Sequence, residues 1–312
     1  MNRNNIEAKD LSVIVPEDGG YLVMPEFGGV LNGRLFDTSP VRQYANVITT
    51  GSDSYEVVID DDEAGATWVS ELESRSSTST PQLRKIKIPV HELQAEPLAT
   101  QKIIDDSMVN MEQWLSGKVA DKFARAENTA FVNGSGNGQP TGFTTYTKKT
   151  SSPGEYAYEQ LGSKELDAAG AVNGAELYEV IGYVKPEYRS SSAWFMSRAS
   201  EAVIRSTISL DGSVNADNFL WRPGLEAGVP NTLAGYPVAL FEDLADIASG
   251  NTDVCMAFGD MRRAYTIVDR IGIRILRDPY TSKPYIKFYT TKRTGGAVVN
   301  FDSLKLVTNK SA

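Results

Sequence analysis

The chain is 312 residues long, 41% hydrophobic and 23% charged, with a net charge of −9 at pH 7, which is material for one large elaborated domain or two ordinary ones. The acidity argues against a module that grips nucleic acid, because neutralising phosphate needs basic residues; it suits a container that must not adsorb its contents, and equally any soluble protein. A single cysteine, Cys255, excludes an intrachain disulfide framework and a cysteine-based zinc site, and no apolar run approaches the roughly 18 residues of a membrane span.

Residues 1–48 read as an extended arm. Pro16, Gly19, Gly20, Pro25, Gly28, Gly29, Gly33 and Pro40 break every periodicity, while Leu22, Val23, Phe27, Val30, Leu31, Leu35 and Phe36 supply apolar anchors. Leu31 to Phe36 fits one short helix. An arm with so many hydrophobes is better placed on a surface than in water; a poorly ordered terminus is the other reading, strongest for residues 1–12.

Residues 52–92 read as a long β-hairpin. Tyr55 to Ile59 alternates imperfectly, Trp68-Val69 continues it, and Ile86 to Val90 alternates cleanly on the return. The tip between them, Ser74-Arg75-Ser76-Ser77-Thr78-Ser79-Thr80-Pro81, has no packing capacity. Asp53 to Glu73 holds eight acidic residues and no basic one; Arg75 to Lys87 holds four basic residues and no acidic one. Such a ribbon, about 50 Å long at 3.3 Å per residue, has an apolar face and strand edges that need a neighbour. An ordinary flexible hairpin over its own domain is the alternative.

From Leu93 an extended approach leads into one long helix. Ile104, Met108, Met111, Leu115, Val119, Phe123, Ala126 and Ala130 recur at three or four and make one stripe. Asp105, Asp106 and Ser107 read as its cap, and Asn133-Gly134 as the left-handed stop. From Ser107 to Val132 is about 26 residues, or roughly 39 Å. Gly117, inside it, costs about 1 kcal/mol relative to alanine, accepted for close approach of another backbone or simply tolerated.

Beyond Gly174 the pattern is mixed. Leu177, Val180, Ile181 and Val184 mark a helix ending near Pro186, Trp194 to Met196 a short buried strand, and Glu201 to Ser209 a second amphipathic helix. Asp211 to Gly228 reads as a long loop carrying Phe219, Leu220, Trp221 and Pro223, and loops of that length are usually functional. Strands follow at Pro237–Phe241, Val254–Phe258, Ala264–Val268, Ile271–Leu276, Ile286–Tyr289, Ala297–Asn300 and Ser303–Val307.

Little points to catalysis. His91 is the single histidine, with nothing near it resembling a nucleophile elbow. Asp60-Asp61-Asp62-Glu63 lacks the alternation and glycine of a calcium loop, and adjacent side chains on a strand diverge; a solvated or inter-subunit acidic patch is the simpler reading. Gly134-Ser135-Gly136-Asn137-Gly138 follows a helix and lacks the lysine of a phosphate loop, so its glycines read as a helix stop and tight turn. Cys255, in an apolar run, reads as a small core residue. No catalytic residue, metal or cofactor is assigned.

Ordered landmarks carry a resemblance. AEPLATQKIIDDS (95–107), MEQWL (111–115) and AENTAFVNGSGNGQPTGF (126–143) resemble the spine helix and following loop of tailed-phage major capsid proteins, the Hong Kong 97 fold. The arm Asp18-Gly19-Gly20-Tyr21-Leu22-Val23, with Pro25-Glu26 after Met24, resembles members from phage and gene-transfer-agent shells. LAGYPV (233–238), FGD (258–260), DPYT (278–281) and KRTGG (292–296) continue the likeness, so it covers nearly the whole chain.

The resemblance implies an α+β shell subunit and not an enzyme. Its parts are an N-terminal arm (1–48), an E-loop hairpin (49–92) that in the family lies across the adjacent subunit, a peripheral domain with the spine helix (93–173), an axial domain (174–268), and return strands to the peripheral domain with a C-terminal strand (269–312). Copies are expected to assemble as hexamers and pentamers into an icosahedral or icosahedron-derived virion head enclosing double-stranded DNA without sequence-specific contact. Expected partners are portal, head-completion and cement proteins, with assembly in a bacterial host cytoplasm and no membrane. A gene-transfer-agent capsid and an encapsulin-like compartment stay open as alternatives, and a β-rich carboxylate hydrolase is remote, lacking a paired-acid motif. Candidate inter-subunit contacts are Asp60, Asp61, Asp62, Glu63, Arg75, Arg84, Lys85 and Lys87 on the hairpin, Tyr21 and Phe27 on the arm, and Trp221 and Arg222 on the 211–228 loop. Residues 1–12 are expected to be a processing remnant or an engineered start. The family's autocatalytic isopeptide cross-link is not expected: the tip Glu71 to Thr80 has no lysine, Asp278 to Pro284 has no asparagine, and Arg75 stays protonated.

Overall fold

The computed structural model describes residues 40–60, 66, 68, 83–107, 110–210, 221–222, 224, 231–248 and 250–311. Most of the arm, the serine-rich tip and most of the 211–228 loop lie outside these residues.

The described chain opens with one helical turn, α1 (Val41–Tyr44), and a strand, β1 (Asn46–Thr49). β2 (Ser54–Asp60) and β3 (Leu83–Pro89) pair antiparallel as a separate ribbon. β4 (His91–Ala95) and β5 (Leu98–Thr100) then lead to two helices where the spacing predicts one. α2 (Gln101–Asp106) is capped by Thr100, whose hydroxyl accepts the Ile103 N–H at 3.3 Å, and it stops at an extended Ser107. α3 (Met111–Asn133) starts afresh at Asn110, whose side-chain oxygen accepts the Gln113 N–H at 3.0 Å. Serine and asparagine compete for local backbone bonds, which favours caps over helix interior. The spine is therefore 23 residues, about 35 Å long. Its buried row is Val119, Phe123, Glu127 and Phe131; Ala126 and Ala130, expected on that face, are half-buried.

Gly134 ends α3 with an extended backbone, not a left-handed one. A Cβ there would lie 2.1 Å from the Pro140 carbonyl oxygen and 2.3 Å from that of Ala130, so the position needs glycine for close approach. Gly136 and Gly138, at φ 77° and 69°, make the turn that follows. Apart from its own helix backbone, no described residue lies within 4 Å of a Cβ built on Gly117.

Next come β6 (Thr147–Lys149) and β7 (Gln160–Glu165). α4 (Gly174–Tyr183) starts with a capping box between Asn173 and Glu176, and α5 (Pro186–Arg189), β8 (Ala193–Met196) and α6 (Arg198–Leu210) follow. β9 (Trp221–Arg222) is a short edge strand within the expected loop, paired to β10 (Thr232–Leu233), which turns into β11 (Tyr236–Leu240). β12 (Val254–Gly259) and α7 (Met261–Ala264), capped by Asp260, precede two strands of 14 residues each, β13 (Tyr265–Asp278) and β14 (Tyr285–Val298). Each joins two segments that the sequence pattern separates. Arg270, Gly272, Gly295 and Gly296 interrupt apolar alternation, yet Gly295 and Gly296 pair with Val268 and Ile267, and β13 passes Arg270 and Gly272 by register shifts on either side of Ile271. β15 (Leu304–Thr308) closes the fold.

Two sheets organise these elements. β1-β13-β14-β4, with β5 also on β14, forms the sheet beside α3. β6-β7-β15-β12-β8-β11-β10-β9 forms an eight-stranded sheet, which draws β6 and β7 from the spine-helix segment and places the C-terminal β15 near its middle. Its strands β15, β12 and β8 are buried on both faces. Ala193, Phe195, Leu304 and Leu306 enter one core with Phe131, Val132 and Tyr265; Trp194, Met196 and Val307 enter another with Leu177, Val180 and Ile204 of α4 and α6.

Candidate assembly interface

The ribbon β2–β3 has one face turned inward and one turned out. Tyr55 stands opposite Ile88, and Val57 opposite Ile86; Ile86 and Ile88 are core residues. The outer face carries Glu56, Val58, Asp60, Leu83, Lys85 and Lys87, all exposed. Val58 and Leu83 remain 62% and 70% exposed, so no described residue covers the outer apolar pair. Trp68 is fully exposed.

The expected contact residues divide. Lys85 forms an ion pair with Glu56 of its own chain. Arg84 shares the inner face with Ile59 and stacks on the Tyr158 ring at 4.8 Å. Asp60 and Lys87 have no ion pair among the described residues. The Trp221 ring is half-buried against the second core, with the Arg205 guanidinium 4.5 Å above it; Arg222 follows it in β9. Asp61, Asp62, Glu63, Arg75, Tyr21 and Phe27 lie outside the described residues. The structure brings together only the hairpin members of this set.

A second uncovered region lies at the far end of the five-stranded sheet. β1 pairs with β13 only as far as Asp269, so among the described residues the β13 edge beyond it has no partner strand. Of the fourteen large hydrophobics exposed among the described residues, seven lie there: Leu98, Ile103, Ile273, Ile275, Leu276, Tyr280 and Tyr285. That concentration makes this end a candidate interaction surface rather than scattered exposure. Arg270 pairs with Asp53 and Arg277 with Glu112, while Arg274 has no ion pair among the described residues.

Behind these surfaces sits a buried charge cluster that sequence reasoning missed. Arg42 of α1 donates to Glu127 Oε2 at 2.7 and 3.0 Å and to both Asp269 oxygens at 2.7 and 3.0 Å. Lys292 Nζ lies 2.6 Å from Glu127 Oε1, and the Thr294 hydroxyl donates to Asp269 at 2.8 Å. The Glu127 side chain is 1% exposed. Burial pushes the Asp269 carboxyl up, but the hydrogen bond and charge of Arg42 outweigh it and hold the group below its ordinary value. Burial likewise opposes the Arg42 charge, and the two carboxylates more than compensate. These partners are 85 and 227 positions apart, and the one local signal was a glutamate on the apolar row of the spine.

Between β2 and the surface around α5 and α7 runs a groove of about 870 Å³. Ile48, Tyr55, Val57, Ile59, Tyr156, Tyr188 and Val299 make its apolar wall; Lys185, Arg262, Arg263, Asp60 and Asp302 supply charge. Lys185 is held by Asp302 at 2.6 Å and Arg263 lies 3.6 Å from Asp260, whereas Arg262 has no ion pair among the described residues. Cys255 is buried, its thiol pushed up to about 12 by burial, which makes it inert.

The phage capsid family matches residues 19–309. A solved structure titled as the capsid of a native GTA (gene transfer agent) particle is 39% identical, covers 96% of this chain and 99% of its own, and superposes with a TM-score of 0.85. The capsid of an empty GTA particle is 38% identical with the same coverage and a TM-score of 0.84. A structure from Microbacterium phage Oxtober96 shares the fold at 13% identity, covering 96% of this chain and 100% of its own, with a TM-score of 0.66. A comparison with curated proteins gives no significant match.

Proposed function

The chain belongs to the phage capsid family, and from that premise we propose how its copies build a particle. It is a shell-forming major capsid protein with the Hong Kong 97-type fold, and it self-associates as a particle component. The proposal is that copies form hexamers and pentamers in a closed icosahedral or icosahedron-derived head enclosing double-stranded DNA, assembled in a bacterial host. The match to a GTA capsid over 96% of the chain carries this reading. The uncovered surfaces supply the means: the β2–β3 hairpin reaches over an adjacent copy, and its acidic run Asp60 to Glu63 approaches the arginine-bearing end of that copy's five-stranded sheet, where Arg274 has no ion pair among the described residues. Each such pair contributes only about 0–1 kcal/mol, and the shell repeats it many times. The particle has no isopeptide cross-link, for want of the tip lysine and the acceptor asparagine. Negative-stain microscopy of purified protein should show particles, and nuclease-treated particles from the native source should release protected duplex DNA. Protein that stays monomeric at all concentrations would remove the shell reading, and empty native particles the DNA.

A further inference from the structure

We propose that Asn137 is a site of spontaneous covalent modification: its side-chain amide is lost to attack by the Gly138 backbone nitrogen, leaving aspartate or isoaspartate in its place. The inference stands on the turn after the spine helix and does not depend on the shell reading.

An asparagine followed by glycine is the most susceptible pair, because no side chain shields the glycine nitrogen and its backbone turns freely. The Gly138 nitrogen attacks Asn137 Cγ and gives up its proton, a C–N bond forms, and the side-chain nitrogen leaves as ammonia. Water then opens the cyclic imide. Opening at Cγ gives aspartate; opening at the backbone carbonyl leaves the chain running through the side-chain carbon, as isoaspartate. One water enters for each ammonia lost, and no oxidant or reductant is needed. The reaction requires that the glycine nitrogen and the side-chain amide be free to meet.

The sequence holds four such pairs, at 32–33, 133–134, 137–138 and 173–174; the first lies outside the described residues, and the structure sets the other three apart. Asn133 closes α3. Its Nδ2 donates to the Asp243 carbonyl at 2.6 Å and its Oδ1 accepts the Thr144 hydroxyl at 2.8 Å. The Gly134 nitrogen in turn donates to the Ala130 carbonyl at 2.8 Å, so both reacting groups are held. Asn173 caps α4, and its side chain is committed to the helix start: Oδ1 accepts the Ala175 N–H at 3.3 Å, while its backbone N–H donates to Glu176 Oε2 at 3.0 Å.

Asn137 has neither restraint. Its side chain and the Gly138 nitrogen make no hydrogen bond to any described residue, and both residues are exposed. Gly138 sits at φ 69°, and a Cβ built on it meets nothing within 4 Å. The ends of the turn are fixed, because Ser135 bridges to Thr141 and the Thr141 N–H donates to the Gly296 carbonyl at 2.9 Å. The change is therefore confined to the bend, and the fold beneath it persists. Each copy gains one negative charge on a net of −9.

Peptide mapping by mass spectrometry of the full-length protein, kept folded in warm, mildly alkaline buffer, tests this. Conversion at Asn137 should run at least about tenfold faster than at Asn133 and Asn173, because those two must first break their hydrogen bonds. In denaturant, where all three are released, their rates should fall within about threefold of one another. Conversion of Asn133 or Asn173 in the folded protein as fast as that of Asn137 overturns the inference. So does an Asn137 that stays intact over the time in which the denatured chain converts. Charge gives a second readout: anion exchange of aged protein should resolve a more acidic species, much reduced in Asn137→Gln, whose longer side chain closes the ring far more slowly. An undiminished acidic species in that variant counts against the site. Neither measurement needs particles, so the result stands apart from the outcome of the shell reading.

Discussion

Two sets of charges in this subunit behave in opposite ways. Around Glu127, which is fully buried, two basic side chains and a second acidic one from α1, β13 and β14, each partly buried, answer one another within the chain. On the outer face of the β2–β3 ribbon, Glu56, Asp60, Lys85 and Lys87 stand in solvent with one ion pair between them. Burial makes the first set a condition of folding, because an unmatched buried charge is severely penalised. Exposure makes the second nearly irrelevant to folding and leaves it available to a neighbour. Similar residue types thus serve the subunit in one place and, on the proposed reading, the particle in the other.

Breaking the buried set should have the largest effect. Glu127→Ala leaves Lys292 and one side of Arg42 without a counter-charge, and is expected to destabilise the monomer by about 3–5 kcal/mol in chemical denaturation; a change within 1 kcal/mol would deny the cluster its role. The same set should show in acid. Asp269 has a folded pKa below its unfolded value, so its contribution is fully present above the unfolded value near pH 4 and is lost as pH falls through the folded one. Melting followed downward from pH 5 should fall less steeply in Asp269→Asn than in the parent, and parallel curves would contradict this.

The exposed set should respond to assembly. Arg84→Glu with Lys85→Glu is expected to cut particle yield severalfold while the monomer loses about 1–2 kcal/mol at most, the Tyr158 stack and the Glu56 pair being partly solvated. Equal loss of both would erase the distinction between the regions. Gly117→Ala should stabilise the monomer by about 1 kcal/mol, since its surroundings in the chain are open; if particle yield falls at the same time, a neighbour's backbone approaches the spine there. Smallest of all, Lys85→Ala alone should shift monomer stability by less than about 1 kcal/mol.

Much of this was legible in the residues. The alternation of Ile86 to Val90 marks β3, the row through Leu177, Val180 and Ile181 marks α4, and the apolar runs at Trp194 and Val254 mark strands buried on both faces. Those are local patterns, set by which side of a helix or strand must leave water, and a window of ten residues contains them. The ordered landmarks from Asp18 to Gly296 placed the chain in its family by the same kind of local reading. What the sequence could not determine is what depends on partners far along the chain. The break at Ser107 to Asn110 sits inside a stripe that reads as one helix. The 14-residue strands β13 and β14 pass through glycines and arginines that look like ends until the pairing is seen. Glu127 reads as a flaw in an apolar row until Arg42 and Lys292 arrive beside it. Only the tertiary structure brings those cations within 3 Å and removes the water. A buried charge is tolerable only in the presence of its counter-charge, and no local pattern of residues records where that counter-charge will be.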